Sequence, residues 1–198
     1  MGIKRGFTLP WVETCSAEGL PAYGTAGCLR TGVNRHMSEK PKLEIGPGWT
    51  PNEGYLTLDI RSLPHIDYVL DASKPLPFPD GSFSRVLACH VLEHFSHAQT
   101  RAILKEWGRI LESGGEIEIH CPDLEWAFRN YVAGNISFGV AVLNIFGAQE
   151  YEYDYHKTGF DLLTLSILLA EAGFKDVRRL NQPMDDDGWQ LKVVATRL

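Results

Sequence analysis

Lys42-Leu43-Glu44-Ile45-Gly46-Pro47-Gly48 is followed by Leu56-Thr57-Leu58-Asp59 and then by Tyr68-Val69-Leu70-Asp71-Ala72. Each short apolar run ends in a glycine turn or an acidic residue, the pattern by which parallel strands present carboxylates and bare backbone to a ligand at their carboxyl edge. Together the three runs read as a nucleoside cofactor site. Gly46 and Gly48, on either side of Pro47, remove side chains where backbone must come close to a ligand. Glu44 can accept from a cofactor ammonium or fix the loop, and Asp59 can accept from both ribose hydroxyls. Asp71 can take an adenine amino group while the Ala72 amide faces a ring nitrogen.

These residue types suit S-adenosylmethionine. Downstream stand Leu76-Pro77-Phe78-Pro79-Asp80-Gly81-Ser82-Phe83, Val91-Leu92-Glu93-His94, Lys105-Glu106-Trp107-Gly108-Arg109-Ile110-Leu111, Ser113-Gly114-Gly115 and Cys121-Pro122-Asp123-Leu124. In that order the stretch from Leu43 to Leu124 resembles the class I S-adenosylmethionine-dependent methyltransferases, specifically the small bacterial, methyltransferase type 11-like kind. The resemblance implies an α/β, Rossmann-like three-layer sandwich around a mostly parallel seven-stranded sheet with an antiparallel last strand. It implies S-adenosylmethionine as cofactor, with Cys89, at the end of the fourth strand, joining Glu44, Gly46, Pro47, Gly48, Asp59, Asp71 and Ala72 around it.

With 198 residues, 44% of them hydrophobic, the chain suits one domain of ordinary core size. No apolar run reaches the roughly 18 residues of a membrane span, and Met1-Gly2-Ile3-Lys4-Arg5-Gly6-Phe7 lacks the apolar core of a secretory signal. A cytoplasmic protein with no membrane partner is expected. A formal charge of −6 gives no general pull toward nucleic acid. The Asn-Pro-Pro-Tyr-type tetrad of amino-group methylation in DNA is also absent after the fourth strand, where Ala88-Cys89-His90-Val91 stands. Cys15, Cys28, Cys89 and Cys121 show no Cys-x-x-Cys spacing, so neither a zinc site nor a disulfide framework is indicated, and Cys89 and Cys121 read as reduced core thiols.

Residues 1–36 show no sustained period and precede the start-like Met37-Ser38-Glu39-Lys40, so they are expected to form an extension of little regular structure before a single domain over 37–198. Strands are predicted at about 42–46, 55–60, 67–70, 84–89, 115–121, 174–180 and 190–197. Helices are predicted at about 98–112, with a Ser96/Gln99 capping box and Gly114-Gly115 as its stop, and at 124–132, 138–146 and 162–172. About nine residues join the first strand to the second and about six the second to the third, below the roughly 10–12 that a helical crossover needs. The fold is therefore expected to be abbreviated by loss of the helices after its first two strands. The bared face over the first three strands should then carry apolar surface for residues 1–36 or a second copy of the chain to cover. Without that first helix, and with Pro51 where a third glycine would fall, a dinucleotide oxidoreductase is disfavoured.

Catalytic candidates are fewer, as expected for an in-line displacement that depends on holding an acceptor against the methyl group. His90 either lines the site or supports local structure, and His94 reads as a structural hydrogen-bonder. Tyr151-Glu152-Tyr153-Asp154-Tyr155-His156-Lys157-Thr158-Gly159-Phe160 is either a loop packing aromatics onto the core or an acceptor-binding lid, since similar small methyltransferases carry such a run here. In the second case His156 is the base, with Tyr155 and Lys157 as acceptor contacts, Lys157 serving an anionic group. Asp185-Asp186-Asp187-Gly188 lacks the alternating spacing of a metal loop and reads as a solvated turn. The expected activity is methyl transfer to O or N of a small or sugar-like acceptor. The alternative is a non-catalytic cofactor-binding partner or regulatory protein.

Overall fold

The protein is described by a computed structural model, in which residues 40–182 and 188–198 are placed. The expectations for residues 1–36 and for Asp185 to Asp187 fall outside the described residues. Seven strands form one sheet: β1 (Lys42–Ile45), β2 (Tyr55–Asp59), β3 (Tyr68–Val69), β4 (Phe83–Cys89), β5 (Leu111–Pro122), β6 (Phe174–Arg179) and β7 (Gln190–Arg197). Their order is β3-β2-β1-β4-β5-β7-β6, with β7 antiparallel to both neighbours and the other pairs parallel. Among the described residues four α-helices accompany it: α1 (His97–Ile110), α2 (Leu124–Val132), α3 (Phe138–Phe146) and α4 (Leu162–Glu171).

Register divides the sheet into two unlike faces. Leu43, Ile45, Leu58, Val86, Ala88, Ile117, Ile119 and Val193 fall on one face. They form a single buried core with Ile103, Leu104, Trp107 and Ile110 of α1 and Leu165 and Leu169 of α4. These α1 residues recur at three- and four-residue spacing, the stripe that docks a helix on a sheet. At Gly108 the helix comes so near β6 that an added Cβ would lie 3.2 Å from the Phe174 ring.

Lys42, Tyr55, Arg85, Glu116, Glu118 and His120 point the other way. Four of them are joined into a ladder in which Arg85 donates to Glu116 at 2.8 Å and also to Glu118, while His120 Nε2 meets Glu118 at 2.7 Å. The apolar surface expected over the first three strands is therefore not what this face presents. Of its apolar members Leu87 and Val194 are buried, and Val69 of β3 is half exposed.

No helix falls between β1 and β4: the first two crossovers lack one, as expected, and the third, where none was predicted, lacks one too. Polar side chains fasten each link in its place. Glu44 accepts from the backbone amide and the Nδ2 of Asn52, both at 2.7 Å, and ties the β1–β2 loop to the strand it leaves. The amide of Thr57 donates to Asp67 at 2.9 Å, and its hydroxyl donates to the His65 carbonyl at 2.8 Å across the β2–β3 link. In the β3–β4 link, Arg109 of α1 donates to the carbonyls of Leu76 and Phe78 and to Asp80, while Glu106 accepts from the Leu76 amide at 2.7 Å. The Leu-Pro-Phe-Pro-Asp-Gly motif is thus a strap held by two charged residues of α1.

The end of α1 also differs from expectation. The chain leaves helical geometry at Leu111, before the two glycines, because Leu111 is extended, buried and already paired with Phe83. Asp123, Ser137 and Asp161 each accept from a backbone amide at the starts of α2, α3 and α4, as capping residues do.

Candidate active site

The carboxyl ends of β3, β2, β1 and β4 lie side by side, and the chain leaves them at Leu70, Ile60, Gly46 and His90. Gly46 has φ +67°, and a Cβ there would lie 2.4 Å from Val91 Cγ2, so only glycine fits the turn. Its amide donates to the Leu58 carbonyl at 2.7 Å, pinning the turn across to β2. Pro47 is buried, and Gly48, at φ +60°, presents its carbonyl to His65 Nε2 at 2.6 Å. An added Cβ at Gly48 would meet just one group, Arg61 Nη2 at 3.5 Å, so this loop is an open cradle for a ligand.

Both oxygens of Glu44 accept from Asn52, one from its backbone amide and one from its Nδ2, and so fix the β1–β2 loop. Asp59 is buried at the end of β2 and gripped by Arg61: its Oδ1 accepts from the Arg61 amide and Nε at 2.8 and 3.1 Å, and its Oδ2 from Nη2 at 3.0 Å. Burial alone would raise the Asp59 pKa, but these bonds outweigh it and hold the carboxyl below its ordinary value. Asp71 is partly exposed and accepts from the amide and hydroxyl of Ser73 through Oδ1. Neighbouring Ala72 is buried, with its carbonyl accepting from Trp107 Nε1 at 3.1 Å.

Cys89 lies on the charged face, 3.5 Å from His120 Nδ1, and burial pushes its thiol up to about 11. It is protonated at neutral pH and inert as a nucleophile. Cys121 is buried on the apolar face, and both thiols are free. His90 has φ +52°, stacks on Trp189 at 5.5 Å and has both nitrogens engaged, Nδ1 with Glu93 at 3.1 Å and Nε2 with Gln190 at 3.0 Å. Burial opposes its charge, yet the hydrogen bond to Glu93 prevails and lifts its pKa.

The segment from Tyr151 to Phe160 docks on the turn Leu92–His94 that follows β4. The amides of Lys157 and Thr158 both donate to the Glu93 carbonyl, at 2.8 and 3.2 Å, and His94 Nδ1 meets the Tyr155 carbonyl at 3.2 Å. His156 sits beneath this segment, its Nδ1 on the Asn144 carbonyl at 3.1 Å and its ring edge-to-face with His94 at 5.1 Å. Burial holds His156 below the usual imidazole value despite the nearby Glu93 charge. The side chains of Tyr155 and Lys157 face solvent. The Tyr151 ring lies 5.5 Å from the Arg61 guanidinium, just past the end of β2. Glu93, fully buried between His90 and His156, is the member of this cluster that sequence reading passed over. Its signal was local: a charged residue inside the apolar turn Val91-Leu92-Glu93-His94.

No helix among the described residues is long and apolar enough to cross a membrane. Residues 51–119, from the first link to the middle of β5, match a family model described as a methyltransferase domain. No curated protein matches the chain.

Solved structures share its fold at low identity. The CurJ carbon methyltransferase is 18% identical with a TM-score of 0.55, over 80% of this chain and 49% of its own. A SAM-dependent methyltransferase from Methanosarcina mazei is 18% identical with a TM-score of 0.52, over 81% and 94%. Human N-acetylserotonin methyltransferase, solved with SAM, is 15% identical with a TM-score of 0.51, over 79% and 47%. The chain thus spans about half the length of the first and third and nearly all of the second. The glycine cradle and edge carboxylates are thus set on a sheet that shares its fold with solved SAM-dependent methyltransferases, and residues 51–119 match the methyltransferase domain.

Proposed function

We propose that the chain transfers a methyl group from S-adenosylmethionine to an oxygen or nitrogen of a small-molecule or sugar-like acceptor. In this reading the loop Gly46-Pro47-Gly48 approaches the amino-acid end of the cofactor, Asp59 takes the ribose, and Asp71 with the Ala72 amide takes the adenine. Cys89 forms part of the wall. His90, with both nitrogens committed, lines and braces the site. His156 meets the proton-bearing atom of the acceptor, and Tyr155 and Lys157 contact the rest of it.

The observation that carries this reading is the docking of the 151–160 segment onto the turn after β4, through two amides on the Glu93 carbonyl. It supports the reading because the segment that carries His156 then follows the end of β4, where a group able to accept a proton would be useful. Calorimetry with S-adenosylhomocysteine, followed by turnover on hydroxyl and amine acceptors, tests it. His156→Ala is expected to lower turnover on the true acceptor and leave S-adenosylhomocysteine affinity nearly unchanged. Lys157→Ala is expected to raise KM selectively for anionic acceptors. Tight cofactor binding without turnover on any acceptor would favour a non-catalytic partner instead.

A further inference from the structure

The two oxygens of the buried Glu93 carboxylate are unequally served. Oε1 meets His90 Nδ1 at 3.1 Å, whereas Oε2 has no hydrogen-bond partner among the described residues. A buried carboxylate oxygen left unpaired is costly and calls for a positive partner. One ligand atom each from Glu93, His94 and His156 lie within 4.8 Å of one another.

The histidines are oriented for this. Each Nδ1 faces a backbone carbonyl, that of Tyr155 for His94 and that of Asn144 for His156. A carbonyl only accepts, so the proton of each neutral ring is on Nδ1 and the lone pair on Nε2. A carbonyl behind the far nitrogen is the support that fixes metal-binding imidazoles.

We propose that Glu93, His94 and His156 hold one divalent transition-metal ion of the zinc type, through a carboxylate oxygen and two imidazole nitrogens. Two nitrogens and one oxygen suit zinc, cobalt or ferrous iron better than magnesium or calcium, which prefer oxygen shells. Three protein ligands leave a coordination position open to an oxygen or nitrogen from outside. Ion binding stands on this geometry alone, while its use rests on the methyl-transfer reading. There the ion takes over the task given to the His156 lone pair: its charge favours loss of the acceptor proton to water. The acceptor lone pair then forms the new bond to the methyl carbon as the carbon–sulfur bond breaks toward sulfur, leaving a neutral thioether and one released proton.

The test uses the full chain, stripped with chelator and titrated with zinc or cobalt alone. Calorimetry and the cobalt visible spectrum should report one ion per chain. Glu93→Gln, His94→Ala and His156→Ala should each weaken binding at least tenfold, with circular dichroism reporting the fold. His94→Gln, which keeps a neutral polar side chain, serves where an alanine variant unfolds. Absence of saturable binding, or binding that none of these substitutions weakens, overturns the proposal; the latter would place the metal elsewhere, for example on Cys15, Cys28 or His36. S-adenosylhomocysteine affinity in the same samples separates the two readings. Zinc binding without it sinks the cofactor assignment and leaves the ion site standing, and cofactor binding without zinc does the reverse.

Discussion

The two faces of the sheet are built on different physics although they alternate residue by residue along the same strands. One face carries Leu43, Ile45, Val86 and Ile119 under α1 and α4, and it depends on being covered. The other carries Arg85, Glu116, Glu118 and His120, tied to one another between β4 and β5 and along β5. A parallel sheet sandwiched between helices on both sides has strands that are apolar throughout. Here Lys-Leu-Glu-Ile and Tyr-Leu-Thr-Leu-Asp alternate, so dropping the early crossover helices leaves little apolar surface on that side of the strands, with Val69 half exposed. Exposed apolar side chains also stand on α2 and α3, where Val132 is 85% and Phe138 67% exposed.

The difference should show first in stability. Trp107 is fully buried against the apolar face, and Trp107→Ala is expected to cost about 3–5 kcal/mol in urea unfolding. A loss below about 1 kcal/mol, the scale of a surface substitution, would mean that α1 is not the cover on which that face depends.

On the charged face the effect should be smaller and should depend on pH. Glu118 titrates at about 2, against an ordinary value of 4.5, chiefly because His120 donates to it; burial opposes the shift and Arg85 adds to it. A carboxyl lowered by folding stabilises the protein above its unfolded pKa, and that contribution is lost as pH falls through the folded value. Glu118→Gln is expected to cost roughly 1–3 kcal/mol at neutral pH. The gap from wild type should close between pH 4.5 and about 2. A gap that stays constant across that range would mean that the ladder contributes through packing rather than charge.

The helices α2 and α3 and strand β7 were legible to the residue, because caps, glycines and apolar spacing act locally. Three features were not. The anchoring of the third crossover was hidden because Leu76-Pro77-Phe78-Pro79 reads as a motif without saying that Glu106 and Arg109 would hold it. The ladder depends on register, which sets Arg85 beside Glu116 and Glu118 on a strand that returns only after α1. The meeting of Glu93 and His94 with His156 depends on where the chain comes back after α3, and no local spacing encodes that. The pairing of Asp59 with Arg61, two residues on, was open to reading, and attention to the ribose role alone passed over it.

That pairing supplies the finest contrast, because Asp59 ends the charged face at the cofactor edge and already has a cation on both oxygens. Asp59→Ala should weaken S-adenosylhomocysteine binding by roughly 1–3 kcal/mol, the cost of stranding ribose hydroxyls. Unchanged affinity would remove Asp59 from the site. Arg61→Ala should act in the opposite direction and by less. The guanidinium is partly exposed and lies 5.5 Å from the Tyr151 ring, so it has somewhere to go when ribose claims the carboxylate. Removing it spares the ligand that competition, which for a partly exposed ion pair amounts to about a two- to fivefold gain in affinity. A tenfold loss in calorimetry would reverse the assignment and make Arg61 a cofactor contact in its own right, leaving Asp59 as the residue that positions it.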